Sequence, residues 1–147
     1  MVMVIQTIGA FCAVASFTRI LELPRRFVGW YGTAGALCWL VYLTAKDAAG
    51  SKIFAAFLAS LAVAVFSHVA ARVLKAPVTV FLISGIFPLV PGAGVYWTVY
   101  YMVTDQLYLA VQTGYTAVKV AVAIVLGIVF VFELPQGLFR ALVGRRR

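Results

Sequence analysis

Charge is what this sequence has least of. Only 11% of its 147 residues are charged, four of them acidic, while 65% are hydrophobic. A soluble domain needs about a quarter of its residues charged to cover its surface. That excludes a water-soluble fold. The chain reads as an all-α polytopic transmembrane helix bundle, with lipid in place of a polar shell and every backbone donor satisfied inside its own helix.

Histidine occurs once and cysteine twice. Cys12 and Cys38 both fall in apolar runs, and no His or Asp lies at metal-ligand spacing beside them. Both read as small buried hydrophobes, and neither a metal nor a cofactor is expected. The lone histidine has no acid–nucleophile pair near it, the four carboxylates sit in loops or at span ends, and no phosphate-binding glycine loop is present. Nothing here forms a catalytic constellation, so an enzyme is not expected. Linkers and low-complexity segments are also missing, which makes residues 1–147 one integral membrane domain.

What charge there is has one sign, with 12 Lys and Arg giving a net charge of +8. The basic residues lie between hydrophobic runs rather than along one face. That pattern sets membrane topology and does not describe a nucleic-acid surface.

Five apolar runs are legible. The first, residues 2–18, is barely long enough to span; Gln6 and Thr7 near its start are placed to face another helix. The N-terminus has no basic region before this run, and Arg25 and Arg26 follow it. Both features argue against a cleaved signal peptide. Pro24 then stops or restarts the helix.

The second run, residues 27–45, carries a small-residue face of Gly29, Gly32, Gly35 and Ala36. Such faces let helices approach closely in lipid, where no hydrophobic effect drives them together. A polar loop, residues 46–52, leads to the alanine-rich third run, residues 53–71. There Ser60, Ala64, Ser67, His68 and Ala71 share a stripe by three-to-four spacing. A basic joint ending in Pro77 precedes the fourth run, residues 78–103. A loop over residues 104–113 follows, then the fifth run, residues 114–132, with Lys119 as its one charge. In the tail, Pro135 and Gly137 break the helix, and Leu138, Phe139, Leu142 and Val143 lie beside arginines at the interface.

Loop charges orient the spans. If all five cross, the first link, the third link and the tail share one side, with three, two and four basic residues; the other side holds two and none. This favours a periplasmic or extracellular N-terminus and a cytoplasmic C-terminus. A re-entrant fourth run would put the triple-arginine tail outside, so five crossings are preferred.

The fourth run is broken by Pro88-Leu89-Val90-Pro91-Gly92-Ala93-Gly94. Proline removes a backbone donor and clashes with the carbonyl four residues back. The break comes about ten residues into the span, near the bilayer midplane at ~1.5 Å per residue. There the first half-helix exposes carbonyls, and the second, restarting after Gly94, points amides that favour an anionic group such as a carboxylate. Discontinuous helices of this kind build transport sites; the plainer reading is a kink that shapes packing.

Lys119 is the second candidate, because an intramembrane ammonium costs roughly 2.5–3.5 kcal/mol and so tends to face the bundle interior. Gln112, Tyr115 and Lys119 share a helical face. Lys119 offers a counter-charge for a carboxylate or a proton to exchange; alternatively it snorkels outward or pairs with Asp105. His68 allows a proton relay or a packing role. Tyr96, Trp97, Tyr100 and Tyr101 form an interfacial aromatic belt, with Tyr96 near enough to the break for its hydroxyl to reach a cavity.

These residues resemble the threonine/serine exporter family, in particular the small membrane subunit of its split, two-polypeptide branch. The resemblance covers the whole chain. It rests on the five spans with hardly any soluble part, on Pro77 leading into Pro88-Leu89-Val90-Pro91-Gly92 and Tyr96, and on Gly114, Lys119 and Gly127 in the last span. The resemblance implies export of threonine and serine across the inner membrane of a bacterium, or of a dicarboxylate such as succinate as in some split members. It also implies a larger polytopic partner subunit. Two other readings stay open. One is an assembly subunit gripping its partner through the Gly29, Gly32 and Ala36 face; the other is a homo-oligomeric pore.

Overall fold

The computed structural model describes residues 2–134; the tail with Pro135, Gly137 and the arginine cluster lies outside them. Those residues form six α-helices and no strand. Helix α1 covers Val2–Ile20, α2 Val28–Ala49 after a 3-10 turn at Arg25–Phe27, and α3 Lys52–Leu74. Helix α4 covers Val78–Ile86, a second 3-10 turn Phe87–Leu89, α5 Gly92–Val103 and α6 Leu107–Phe132. Four stretches are long and apolar enough to cross a membrane, and α4 with α5 makes a fifth if the bent pair is one span. The protein is a multi-pass, all-α membrane protein.

Each turn is made locally. Helix α1 ends where Glu22 enters the left-handed region at φ 53, letting the Leu23 N–H reach back to the Thr18 carbonyl at 3.1 Å. Lys75 and Asp105, at φ 51 and φ 59, close α3 and α5 in the same way, with Ala76 N–H donating to Ala71 and Gln106 N–H to Tyr101. Gly50 ends α2 at φ 65, and Ser51 then caps α3 by accepting from the Phe54 N–H. A side chain bearing a β-carbon is strained in that region. Glu22→Gly is therefore expected to raise stability by about 1 kcal/mol, read as a higher midpoint of thermal unfolding in detergent.

Helix α3 is the hub. Ala55, Ala56, Ala59, Ser60, Val63, Ala64, Ser67, Ala70 and Ala71 are all buried along it, so small side chains let α2, α4 and α6 close on it from several sides. Gly32 and Gly35 make the α1–α2 seam: a β-carbon on Gly32 would stand 2.6 Å from the Phe11 ring, and one on Gly35 would overlap Val14. Gly29 does not join this seam and faces open space. Phe27, Tyr31 and Phe81 pack as an aromatic core near the first connection. Cys38 is buried as expected, whereas Cys12 is exposed on the outer side of α1.

Several boundaries differ from the sequence reading: α2 runs to Ala49 and α3 to Leu74, past the expected ends at 45 and 71. Helix α6 starts at Leu107, seven residues before the expected Gly114, because residues 107–113 contain neither proline nor glycine to stop a helix. Helix α5 restarts at Gly92 rather than after Gly94; a single residue, Pro91, is enough to restart the winding from its cap position.

A cleft at the broken helix as candidate functional site

The break is built by its two prolines and stitched by its own backbone. Pro88 sits in the 3-10 turn; the Val90 N–H donates to the Phe87 carbonyl at 3.3 Å, and the Gly92 N–H to the Val90 carbonyl at 2.7 Å. The Phe87 carbonyl, one of those expected to be exposed at the end of the first half-helix, is thus already occupied. Pro91 caps α5 without any side-chain hydrogen bond. The axes on either side of the break differ by 47°.

Beyond the bend, α5 buries none of its residues. It lies on α6 through two close approaches: a β-carbon on Gly94 would be 3.0 Å from that of Ala117, and one on Gly114 would be 3.1 Å from Thr98 Cγ2. Thr98 donates its hydroxyl to the Gly94 carbonyl at 2.7 Å, which keeps its methyl turned to α6.

This geometry opens a cleft of about 730 Å³ between α2, the break, α5 and the first half of α6, within the size range of small-molecule sites. Its floor is Pro88, Leu89, Val90 and Pro91. One wall holds Trp39, Tyr42, Leu43 and Lys46 of α2; the other holds Ala93, Gly94 and Trp97 of α5 with Gln112, Thr113, Thr116, Ala117 and Val120 of α6. Gln6 and Lys52 complete the lining, which has no carboxylate among the described residues. Trp39 and Tyr42 stack with ring centroids 5.3 Å apart. Thr116 and Thr113 donate their hydroxyl protons to the Gln112 and Leu109 carbonyls of their own helix, so each presents only oxygen lone pairs to the cleft.

Of the residues singled out in the sequence, Pro88, Pro91, Gly94 and Gln112 line the cleft together. Gly92 belongs to the break but not to the lining. Tyr96 stands on the outer face of α5, 63% exposed and stacked on Tyr100. One residue on, a turn of about 100° brings Trp97 into the lining instead. Tyr115 and Lys119 also face outward; the ammonium lies 4.0 Å from the Tyr115 ring centroid, beside a shallow apolar depression shared with Val122 and Leu126. His68 is remote from the cleft, its ring edge-on to Phe132 at 4.8 Å.

Sequence reasoning missed Lys46, Lys52, Trp39, Tyr42, Trp97, Thr113 and Thr116 as a group. The available signal was topological: Lys46 and Lys52 flank the connection between two antiparallel helices, at the end to which α5 points.

A family model described as threonine/serine exporter, ThrE, matches residues 6–133 of the chain. No curated protein matches it, and neither does any solved structure.

Proposed function

The chain belongs to the threonine/serine exporter family, and from that premise we propose that it is a subunit of a secondary transporter moving threonine, serine or a related small carboxylate such as succinate out of the cell across the inner membrane. The observation that carries this reading is the cleft floored by Pro88–Pro91, whose lining joins two lysines with hydroxyl, amide and aromatic groups and has no carboxylate among the described residues. Such a lining suits a small carboxylate-bearing solute. In the orientation favoured by loop charges, α4 and α5 cross as one span, and the cleft opens to the outside with the break at its base.

The larger polytopic subunit implied by a split transporter needs a surface to meet. The faces of α5 and α6 with Tyr96, Tyr115, Val118, Lys119 and Val122 are exposed apolar helix interrupted by one cation. Lys119 in this reading becomes interior once the partner covers it, as the cost of an intramembrane charge favours. Lys119→Ala is expected to reduce export by at least about tenfold while the complex still assembles. Loss of co-purification would instead assign Lys119 to the subunit contact alone.

The test is export of labelled threonine, serine and succinate from cells carrying this chain with and without a co-purifying larger membrane subunit. No export of any of the three by the pair would sink the reading. Conduction by the purified chain alone would support a homo-oligomeric pore in its place.

A further inference from the structure

Lys46 and Lys52 stand where neither topology nor helix electrostatics favours both of them. Of the seven basic residues around the links between the described helices, Arg19, Arg25, Arg26, Arg72 and Lys75 fall at one end of the bundle, and these two are the pair at the other. That is against the bias that sets orientation. Lys52 is also the first residue of α3, which has no acidic residue in its first turn. A cation there opposes the positive end of the helix dipole. Lys46, in the last turn of α2, suits its own helix, but like Lys52 it turns to the cleft. Asp47, the nearest carboxylate in sequence, does not line it. The mouth of the cleft is therefore cationic, and low-dielectric walls strengthen that field.

Deeper in, the chemistry reverses. Thr113 and Thr116 have donated their protons to their own helix and offer lone pairs, while Trp39, Tyr42 and Trp97 add aromatic walls, and aromatic rings attract a cation. Cationic groups at the mouth with acceptors and π-faces below are complementary to a zwitterion. We propose that Lys46 and Lys52 form the carboxylate-binding subsite of the cleft and make it selective for small amino acids with a free α-carboxylate, held with the ammonium toward Thr116 and the aromatic walls. This inference rests on the export reading and names the residues that would decide its substrate class.

The cleft contains two of the three tryptophans, Trp39 and Trp97, while Trp30 packs against Phe66. In a Trp30→Phe background, tryptophan emission therefore reports the cleft. The experiment titrates the full chain in nanodiscs of zwitterionic phosphatidylcholine with L-threonine, L-serine and L-threoninamide, in which the carboxylate is an uncharged amide. Threonine is expected to bind about ten- to hundredfold more tightly than threoninamide, the worth of charge-assisted hydrogen bonds. In Lys46→Gln/Lys52→Gln the gap collapses to about twofold or less, and Lys46→Arg/Lys52→Arg restores it. The single glutamine variants serve as a second series should the double variant fail to fold.

Equal binding of acid and amide by the parent chain, or a gap that survives in the glutamine variants, overturns the proposal while export of threonine continues. The same holds if added anionic lipid, and not threonine, gives the lysine-dependent signal; the two lysines then hold a headgroup. A parent chain that responds to neither amino acid, in cells whose export is intact, also overturns the subsite. Absence of both response and export counts against the export reading itself.

Discussion

Gly127→Val is expected to prevent the chain from accumulating as a folded protein. A β-carbon at this position would overlap Ser60 Oγ and stand 2.8 Å from the Phe57 carbonyl oxygen. Neither neighbour can yield. Ser60 is fully buried, and its hydroxyl donates to that same Phe57 carbonyl at 2.8 Å, so moving it leaves a buried polar group unpaired. The carbonyl itself belongs to the hub helix α3. Inserting volume into a closed seam costs about 1–3 kcal/mol per small group, and a branched side chain against backbone exceeds that range. Helix α6 packs only on α3 and α5 among its major neighbours, and α5 itself buries nothing, so prying α6 from α3 removes two helices from the bundle. Gly29→Ala is the matched control. Its β-carbon meets nothing within 4 Å, and replacing a glycine in the first turn of α2 by alanine should be neutral or stabilise by less than about 1 kcal/mol. Membrane yield and the midpoint of thermal unfolding in detergent separate the two. Equal behaviour would mean that the α3–α6 seam is looser than its geometry.

That contrast between two glycines also marks how far the sequence could be read. Gly29, Gly32 and Gly35 look alike as a small-residue face, yet only Gly32 and Gly35 lie against α1. The spans themselves were legible because lipid demands long uncharged runs, and the break because proline and glycine have few uses in mid-span. Helix rotation was not. In a soluble protein the polar face points to water, but lipid and bundle interior are equally apolar, so Gln112, Tyr115 and Lys119 share a face without that face declaring its direction. Gln112 sits at one edge of the cleft-lining arc with Thr116 and Val120, and the two others fall just outside it. The start of α6 was missed for a related reason, since residues 107–113 are polar enough to resemble a loop but contain nothing that ends a helix. Lys46 and Lys52 were read as loop charges that count toward topology, and only the packing of α2 against the break gives them a shared destination.

Pro88→Ala/Pro91→Ala is expected to lower export by at least about tenfold, with no loss of stability. Alanine restores a backbone donor at both positions, and with it the continuous ladder that the two prolines interrupt. Each proline inside a helix costs about 3 kcal/mol, so a straighter α4–α5 recovers energy that the native bend forgoes. What opposes the change is the packing of α5 along α6, closest at Gly94 and Thr98; because α5 has no buried residue, that packing is shallow. Straightening a 47° bend over an arm of 12 residues, roughly 18 Å long, displaces its far end by roughly 14 Å and Trp97 by about half of that. One aromatic wall of the cleft then leaves the solute, and the floor at Pro88–Pro91 loses its shape. A variant that is inactive because it misfolds would show a lower unfolding midpoint. A variant that is inactive because the break positions the site would show an equal or higher midpoint, intact co-purification with its partner and altered cleft tryptophan emission. Export at the parent rate from a chain with straightened helices would reduce the proline–glycine break to a packing kink and remove the floor of the site.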